Sequence, residues 1–154
     1  MTRDELLQLR EVNASMGLML ENVSDRLLER GGPHFGAESK MPSLRLAMMD
    51  TAGDLGIPFT TGILVGIGED RSSRIATLQA IADSHGRHGH VQEVIVQNFL
   101  PKADTAMHSA QPCPDDVFLE AIALARLILQ PEVHVQAPPN LSDDFGALLD
   151  AGID

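Results

Sequence analysis

Short apolar runs and longer amphipathic stretches alternate along this chain. Helical spacing of apolar residues predicts a first helix over residues 2–12, and short apolar runs then begin at Met16, Phe59, Val91 and Val133. A helical stretch follows each run. Strands that alternate with helices of this length predict βαβ units and a parallel sheet.

The helices after these runs carry recognisable start and stop signals. Proline at position 42 suits a first helical turn, and Gly56 suits the position just past a helix end. Asp115 suits the start of a later helix. We expect helices over residues 23–30, over 42–55, from 71 until the pattern fades at 85, from 115 onward, and over 141–152.

Two architectures fit this order of elements, a doubly wound open sheet and part of a (β/α)₈ barrel. The strands read as apolar rather than alternating, which is typical of strands covered on both faces. The chain shows no internal repeat and no linker long enough to divide it. We therefore expect one domain over residues 1–154.

Composition narrows the function classes. Among 154 residues, 22 are acidic and 11 are Lys or Arg, and the formal net charge of −11 argues against nonspecific nucleic-acid binding. The one cysteine, Cys113, excludes an internal disulfide framework and a metal site made of cysteines alone. No apolar run reaches membrane-spanning length, and the first residues lack a signal-peptide core, so we expect a cytoplasmic protein with no membrane partner.

Each predicted strand ends in polar residues. These exits are Glu21-Asn22, Gly68-Glu69-Asp70, Gln97-Asn98 and the segment from Gln136 to Asn140. In parallel α/β folds, ligands bind at the carboxyl ends of the strands, so four polar exits on one rim would form one site. The alternative is that these residues meet solvent and cap the following helices.

The stretch "FTTGILVGIGED", residues 59–70, is apolar but interrupted by three glycines. Glycine inside a strand loses packing and entropy, which indicates that something lies close to the backbone. The dinucleotide fingerprint is not met because Arg71 stands at its last glycine position, and no P-loop Gly-Lys-Ser/Thr follows. The pattern Gly-x-(Ile/Leu)-x-Gly-x-x-Glu is met by Gly62, Leu64, Gly66 and Glu69.

This last pattern resembles the fifth-strand motif of radical S-adenosylmethionine (SAM) enzymes, in which glycines let the adenine ring lie against the backbone. The segments "GLMLEN", "HGHVQEVIVQNF" and "VQAPPNLS" follow the order and spacing of one subgroup, the enzymes that make the deazaflavin chromophore and their menaquinone-pathway relatives. The segment "QEVIVQNFLPKADTAM" most resembles the deazaflavin synthases. The resemblance covers essentially all 154 residues.

The resemblance implies an α/β fold, a partial TIM-type barrel of about four parallel β/α units preceded by a helix. These are roughly the fourth to seventh units of the barrel, so it also implies a fragment of a longer enzyme. Its cofactors would be SAM and a 4Fe-4S cluster, with the cluster ligands outside this chain. Cys113 is not expected to be a cluster ligand, and no metal ligand is expected within the chain.

The resemblance further implies a lyase that cyclises a hydroxybenzyl–ribityl–uracil adduct with loss of ammonia. A companion radical SAM subunit or domain would make the adduct, and this chain alone would be inactive. Three alternatives stay open: a radical SAM enzyme of menaquinone (futalosine) biosynthesis, a non-catalytic α/β module that binds a nucleotide, and a fragment without a stable fold.

The resemblance also implies roles for single residues. Glu21, with Asn22 as the weaker candidate, would bind the ribose of SAM, and either Lys40 or Arg45 would bind its carboxylate. Glu69 would either satisfy backbone amides near the adenine or cap the next helix. The remaining residues expected at the SAM site are Gly62, Gly66, Asn98 and Phe99.

The substrate would be held by neutral side chains and one loop histidine, namely His34, Gln97, Gln136 and Asn140. Three other histidines lie close together in sequence and suggest a metal site at first sight, namely His85, His88 and His90. Because these three lie at a helix end away from the catalytic rim, we expect a solvated surface there.

Overall fold

The computed structural model describes residues 1–138 and 144–154 as a parallel sheet with helices between its strands. The strands are β1 (Met16–Gly17), β2 (Phe59–Val65), β3 (Val91–Asn98) and β4 (His134–Gln136). The helices are α1 (Arg3–Arg10), α2 (Pro42–Asp54), α3 (Arg71–His88), α4 (Asp115–Ile128) and α5 (Phe145–Ala151). The predicted helix followed by four parallel β/α units is confirmed.

The strand order decides between the two architectures. The sheet runs β1-β2-β3-β4, and every neighbouring pair is parallel. A doubly wound sheet reverses its strand order at a switch point, whereas a barrel adds each strand beside the previous one. The sequential order is that of a barrel segment.

Local signals in the sequence set several element ends. Thr2 and Glu5 form a capping box at the start of α1. Proline occupies the first turn of α2, and Gly56 follows that helix with a φ of 61°. At the start of α3, the Asp70 side chain accepts a hydrogen bond from the Ser73 amide. These ends lie where the sequence predicts them.

Other segments differ from the sequence prediction. Residues 23–30 form only a 3₁₀ turn at Asp25–Leu28, and Ser24 makes no side-chain cap there. A segment this short cannot offset the cost of nucleating an α-helix without a cap. Helix α3 continues past the expected fading point to His88, where Gly89 ends it with a φ of 63°. The last helix begins at Phe145, and the expected start at residue 141 lies outside the described residues.

The sheet is not covered on both faces, so that expectation is wrong for the described part of the chain. Alternate positions such as Ile63 and Val96 are buried beneath the helices. The intervening positions, Leu64, Ile95 and Gln97, are partly exposed. Register places Gln136 opposite Ile95, so its exposed side chain joins the same face. We call this the open face of the sheet.

The core is built mainly from Leu, Ile, Val, Ala and Met, as the low aromatic content requires. Phe59 and Phe118 are its buried aromatic side chains among the residues described. None of the helices seen in 1–138 and 144–154 is both long and apolar enough to cross a membrane.

Candidate functional site

Glu21 lies at the rim, just beyond β1, in a strained backbone conformation. Its amide donates to the Gly62 carbonyl at 2.9 Å, and its own carbonyl accepts from the Leu64 amide at 3.0 Å. Its φ is 65°, which non-glycine residues rarely adopt. Such strain persists where surrounding contacts hold it, and it concentrates at functional sites.

Three basic side chains from the segment before and within α2 surround the Glu21 carboxylate. Lys40 Nζ and Arg45 Nη1 both contact Oε1, the arginine at 3.0 Å. His34 Nε2 lies 3.1 Å from Oε2. The structure therefore brings together four residues that the sequence assigns to the SAM and substrate sites. We call Glu21, His34, Lys40 and Arg45 the rim cluster.

Burial and the neighbouring charges shift the pKa values of two members of the rim cluster, Glu21 and His34. Burial alone would raise the pKa of Glu21, but hydrogen bonds from Lys40 and Arg45 outweigh it and hold that pKa below its ordinary value. Burial lowers the pKa of His34, and the charge of Glu21 only partly opposes this. At neutral pH the site therefore holds a carboxylate and a neutral imidazole.

Several buried polar atoms of this region lack a hydrogen-bond partner in the described part of the chain. They include Glu21 Oε2 and His34 Nε2, whose 3.1 Å approach does not have hydrogen-bond geometry. The Asn22 Nδ2 atom is also unpaired, although Asn22 Oδ1 accepts from the Ser24 amide at 2.7 Å. Unpaired buried polar atoms are costly, so they mark places where a ligand or water can bind.

The two candidate cations, Arg45 and Lys40, differ in how many protein groups they already contact and in how exposed they are. Arg45 donates through Nε to the Ser39 carbonyl at 2.8 Å and through Nη1 to the Met19 carbonyl at 2.5 Å, and its side chain is 9% exposed. The side chain of Lys40 is 33% exposed, and its one hydrogen-bond partner in the described chain is Glu21. Lys40 is therefore the more accessible cation.

Glu69 organises the loop after β2. Its carboxylate accepts hydrogen bonds from the Gly66 amide at 2.9 Å and the Ile67 amide at 2.9 Å. Of the two roles expected for Glu69, binding of backbone amides is therefore present, whereas capping of α3 falls to Asp70.

Asp70 is held as a carboxylate at the start of α3. Hydrogen bonds from the Ser72 hydroxyl, the Ser73 amide and the Ser73 hydroxyl lower the pKa of Asp70 to about 2.

The space beside Gly62 and Gly66 is filled by other residues of this chain. A Cβ at Gly62 would lie 2.2 Å from the Ile95 carbonyl oxygen and 2.5 Å from Met19 Cε. Gly66 and Gly68 follow the strand rather than interrupt it, with φ values of 87° and 120°. The glycines therefore serve internal packing and turn geometry, which the sequence reading did not foresee.

The other expected site residues lie at the neighbouring strand ends. Asn98 is buried at the end of β3, and the Phe99 amide donates to the Val65 carbonyl at 2.8 Å. Gln97 and Gln136 both lie on the open face. Asn140 lies outside the described residues.

Cys113 is a buried loop residue beside the rim loop. A Cβ added to Gly66 would lie 2.6 Å from the Cβ of Cys113, so the two residues are in close contact. Burial, with the nearby charge of Glu69, raises the pKa of the Cys113 thiol to about 11. Within residues 1–138 and 144–154, no group of three or more His, Cys, Asp and Glu side chains could hold a metal ion.

The expected solvated surface at His85, His88 and His90 is wrong for two of the three. His85 and His90 are each 6% exposed, because the end of α3 folds back against the start of β3. His85 Nδ1 accepts from the Val91 amide at 3.1 Å, and His90 Nε2 lies 3.0 Å from the Met49 carbonyl oxygen.

Acid is expected to destabilise the fold through His90. Burial lowers the pKa of His90, and the charges of His88 and His85 lower it further. The unfolded chain thus binds a proton at this histidine more readily than the folded chain does. The stabilising contribution of neutral His90 is therefore complete above about pH 6.5, the ordinary histidine pKa, and is lost as pH falls through the lower folded pKa. Urea unfolding between pH 7.5 and 5 should show this loss reduced in His90→Gln. The exposed His108→Gln should keep it, and an unchanged slope in His90→Gln would refute the assignment.

Relatives match nearly the whole of this chain. A 7,8-didemethyl-8-hydroxy-5-deazariboflavin synthase of Methanoculleus marisnigri is 55% identical over 144 residues, covering 93% of this chain and 42% of the relative. An FO synthase of Mycobacterium tuberculosis is 49% identical over 157 residues, covering 100% of this chain and 18% of the relative. The chain spans less than half the length of these curated relatives. No family model matches it.

A solved structure shares the fold. The FeFe-hydrogenase maturase HydG of Carboxydothermus hydrogenoformans matches 99% of this chain and 36% of its own, with a TM-score of 0.71 and 20% identity. This likeness concerns the fold alone. It confirms the prediction of an α/β chain with the architecture of a partial TIM-type barrel.

Proposed function

We propose that this chain, a homologue of one part of the deazariboflavin synthases, forms the SAM-binding part of such an enzyme. The observation that carries the proposal is its 55% identity to the Methanoculleus synthase over 93% of the chain. The reaction would be the cyclisation of a hydroxybenzyl–ribityl–uracil adduct with loss of ammonia, in the cytoplasm. A companion radical SAM subunit or domain would supply the adduct.

The rim cluster fits the polar groups of SAM. Lys40 is accessible and can pair with the methionine carboxylate, while Arg45 holds Glu21 in place. The unpaired Oε2 of Glu21 can accept a hydrogen bond from a ribose hydroxyl, and the unpaired Nδ2 of Asn22 can donate one.

The remaining roles follow from position along the rim. The adenine would lie along the loop from Gly66 to Glu69 and beside Asn98 and Phe99. The substrate would meet His34 and the open-face residues Gln97 and Gln136, whose amides suit a uracil edge or a ribityl chain. Asn140 keeps its proposed substrate role from the sequence alone, and Gly62 contributes through packing of β2.

A 4Fe-4S cluster does not fit the residues of this chain. Such clusters are held by several cysteine thiolates, and the chain has Cys113 alone, buried and with a raised pKa. Its ligands would come from outside this chain, and we derive no step through it. In the complete enzyme, SAM and the cluster would supply the radical chemistry, while this chain binds, orients and shields.

A chimera tests the proposal. This chain would replace the matched 144 residues of the Methanoculleus synthase, and deazaflavin formation from the adduct would be measured by absorbance and mass spectrometry. We expect product, because the segment would supply the same ligand contacts as the residues that it replaces. The unmodified synthase and a chimera with Lys40→Met are the controls. A chimera that retains its cluster and cleaves SAM but forms no deazaflavin would show that the chain serves another reaction.

A further inference from the structure

The rim loop after β2 is held in place by one buried carboxylate. Gly66 and Gly68 have left-handed φ values, and the amides of Gly66 and Ile67 both point to Glu69. The Glu69 side chain is 0% exposed. The conformation of this loop therefore depends on Glu69 keeping its charge and position.

Arg74 supplies the countercharge. Its Nη1 lies 3.0 Å from Glu69 Oε1, and its side chain is 8% exposed. A buried carboxylate without a cation is strongly disfavoured and becomes protonated, which weakens the charge-assisted hydrogen bonds that it accepts. Arg74 therefore sustains the two amide contacts of the loop.

The burial of Arg74 carries a cost that packing does not explain. Its Nε is buried without a hydrogen-bond partner in the described chain, and its second ion pair, to Glu120, is 3.6 Å long. A buried ion pair often contributes less to stability than apolar side chains of similar volume would. This cost is consistent with a role in holding the loop.

We infer that Arg74 is a positioning residue, which acts through Glu69 to fix the loop against which the nucleoside of SAM binds. The inference rests on the proposed function for the identity of the ligand. Arg74 itself does not contact the ligand. The sequence reading missed it, because nothing in the helical pattern of α3 separates it from the neighbouring polar residues.

The test compares Arg74→Met with Arg71→Met in the chimera with the Methanoculleus synthase. Arg71→Met is the control because it makes the same change in charge on the same helix. The Arg71 side chain pairs with Glu120 at 2.7 Å and is 58% exposed, so it does not hold the loop. SAM affinity would be measured by calorimetry, and the Gly66 and Ile67 amide shifts by NMR. We expect Arg74→Met to lose about tenfold or more in affinity. Both amide resonances should move upfield, because the charge-assisted hydrogen bonds that these amides donate to Glu69 would weaken. Arg71→Met should change neither, and Arg74→Lys should restore part of both.

Should Arg74→Met fail to fold, Arg74→Lys, which keeps the charge but loses the geometry of the guanidinium group, takes its place with a smaller expected effect. Weak SAM binding with shifted loop amides in either variant supports the inference. Parent-like affinity and amide shifts in a folded variant overturn it. If the unsubstituted chimera does not bind SAM, the proposed function fails, and the amide shifts still decide whether Arg74 sets the loop.

Discussion

Replacing Glu21 with Gln in the chimera is expected to weaken SAM binding about ten- to a hundredfold, a loss of about 1–3 kcal/mol. The carboxylate contacts Lys40 and Arg45 through one oxygen, and its other oxygen is buried without a hydrogen-bond partner in the described chain. We propose that this second oxygen accepts from a ribose hydroxyl. An amide has one acceptor oxygen and adds a donor group among the cations. It cannot hold both cations and also accept from a ribose hydroxyl. Calorimetry with SAM measures the effect.

A matched control is Asp50→Asn. Asp50 also gathers several partners, Ser84 at 2.5 Å and Arg87 at 2.7 Å, but it lies near the C-terminal end of α2, far from the rim. We expect this variant to lose stability and to keep its SAM affinity. Equal affinity in Glu21→Gln and the parent would show that Glu21 only orders the rim, and Asn22 would become the ribose candidate.

Replacing Gly62 with Ala is expected to destabilise the fold by at least about 1–3 kcal/mol, the usual cost of overpacking a core. The new Cβ would lie 2.2 Å from the Ile95 carbonyl oxygen, which belongs to the backbone of β3 and cannot rotate away. The pairing of β2 with β3 would have to shift. Urea unfolding followed by circular dichroism measures the change.

Two further variants make this result specific. Gly86→Ala lies within α3, where the nearest atom to a new Cβ is Gln130 Nε2 at 3.6 Å, so it should stabilise by about 0.5–1 kcal/mol. Adding Met19→Ala to Gly62→Ala should not restore stability, because the carbonyl of Ile95 remains. If that double variant recovers the parent stability, Met19 rather than the β3 backbone limits the space.

The order and direction of the elements were predictable from local pattern. Apolar spacing, the proline at the start of α2 and Gly56 at its end act within a few residues of chain. The identity of the rim residues was also predictable in part, because parallel strands bring their polar exits to one edge. Residues 23–30 were not, since a helical pattern without a cap does not decide between an α-helix and a 3₁₀ turn.

By itself the sequence determined a parallel α/β chain, its strand exits and its resemblance to the deazaflavin synthases. Only the tertiary structure decided that Glu21 meets His34, Lys40 and Arg45, and that Met19 fills the space at Gly62. It also decided that His85 and His90 are buried rather than solvated. The physical reason is the separation in sequence between the residues that interact. Periodicity and caps depend on neighbours in sequence, whereas burial and ion pairing depend on which distant segments the fold packs together.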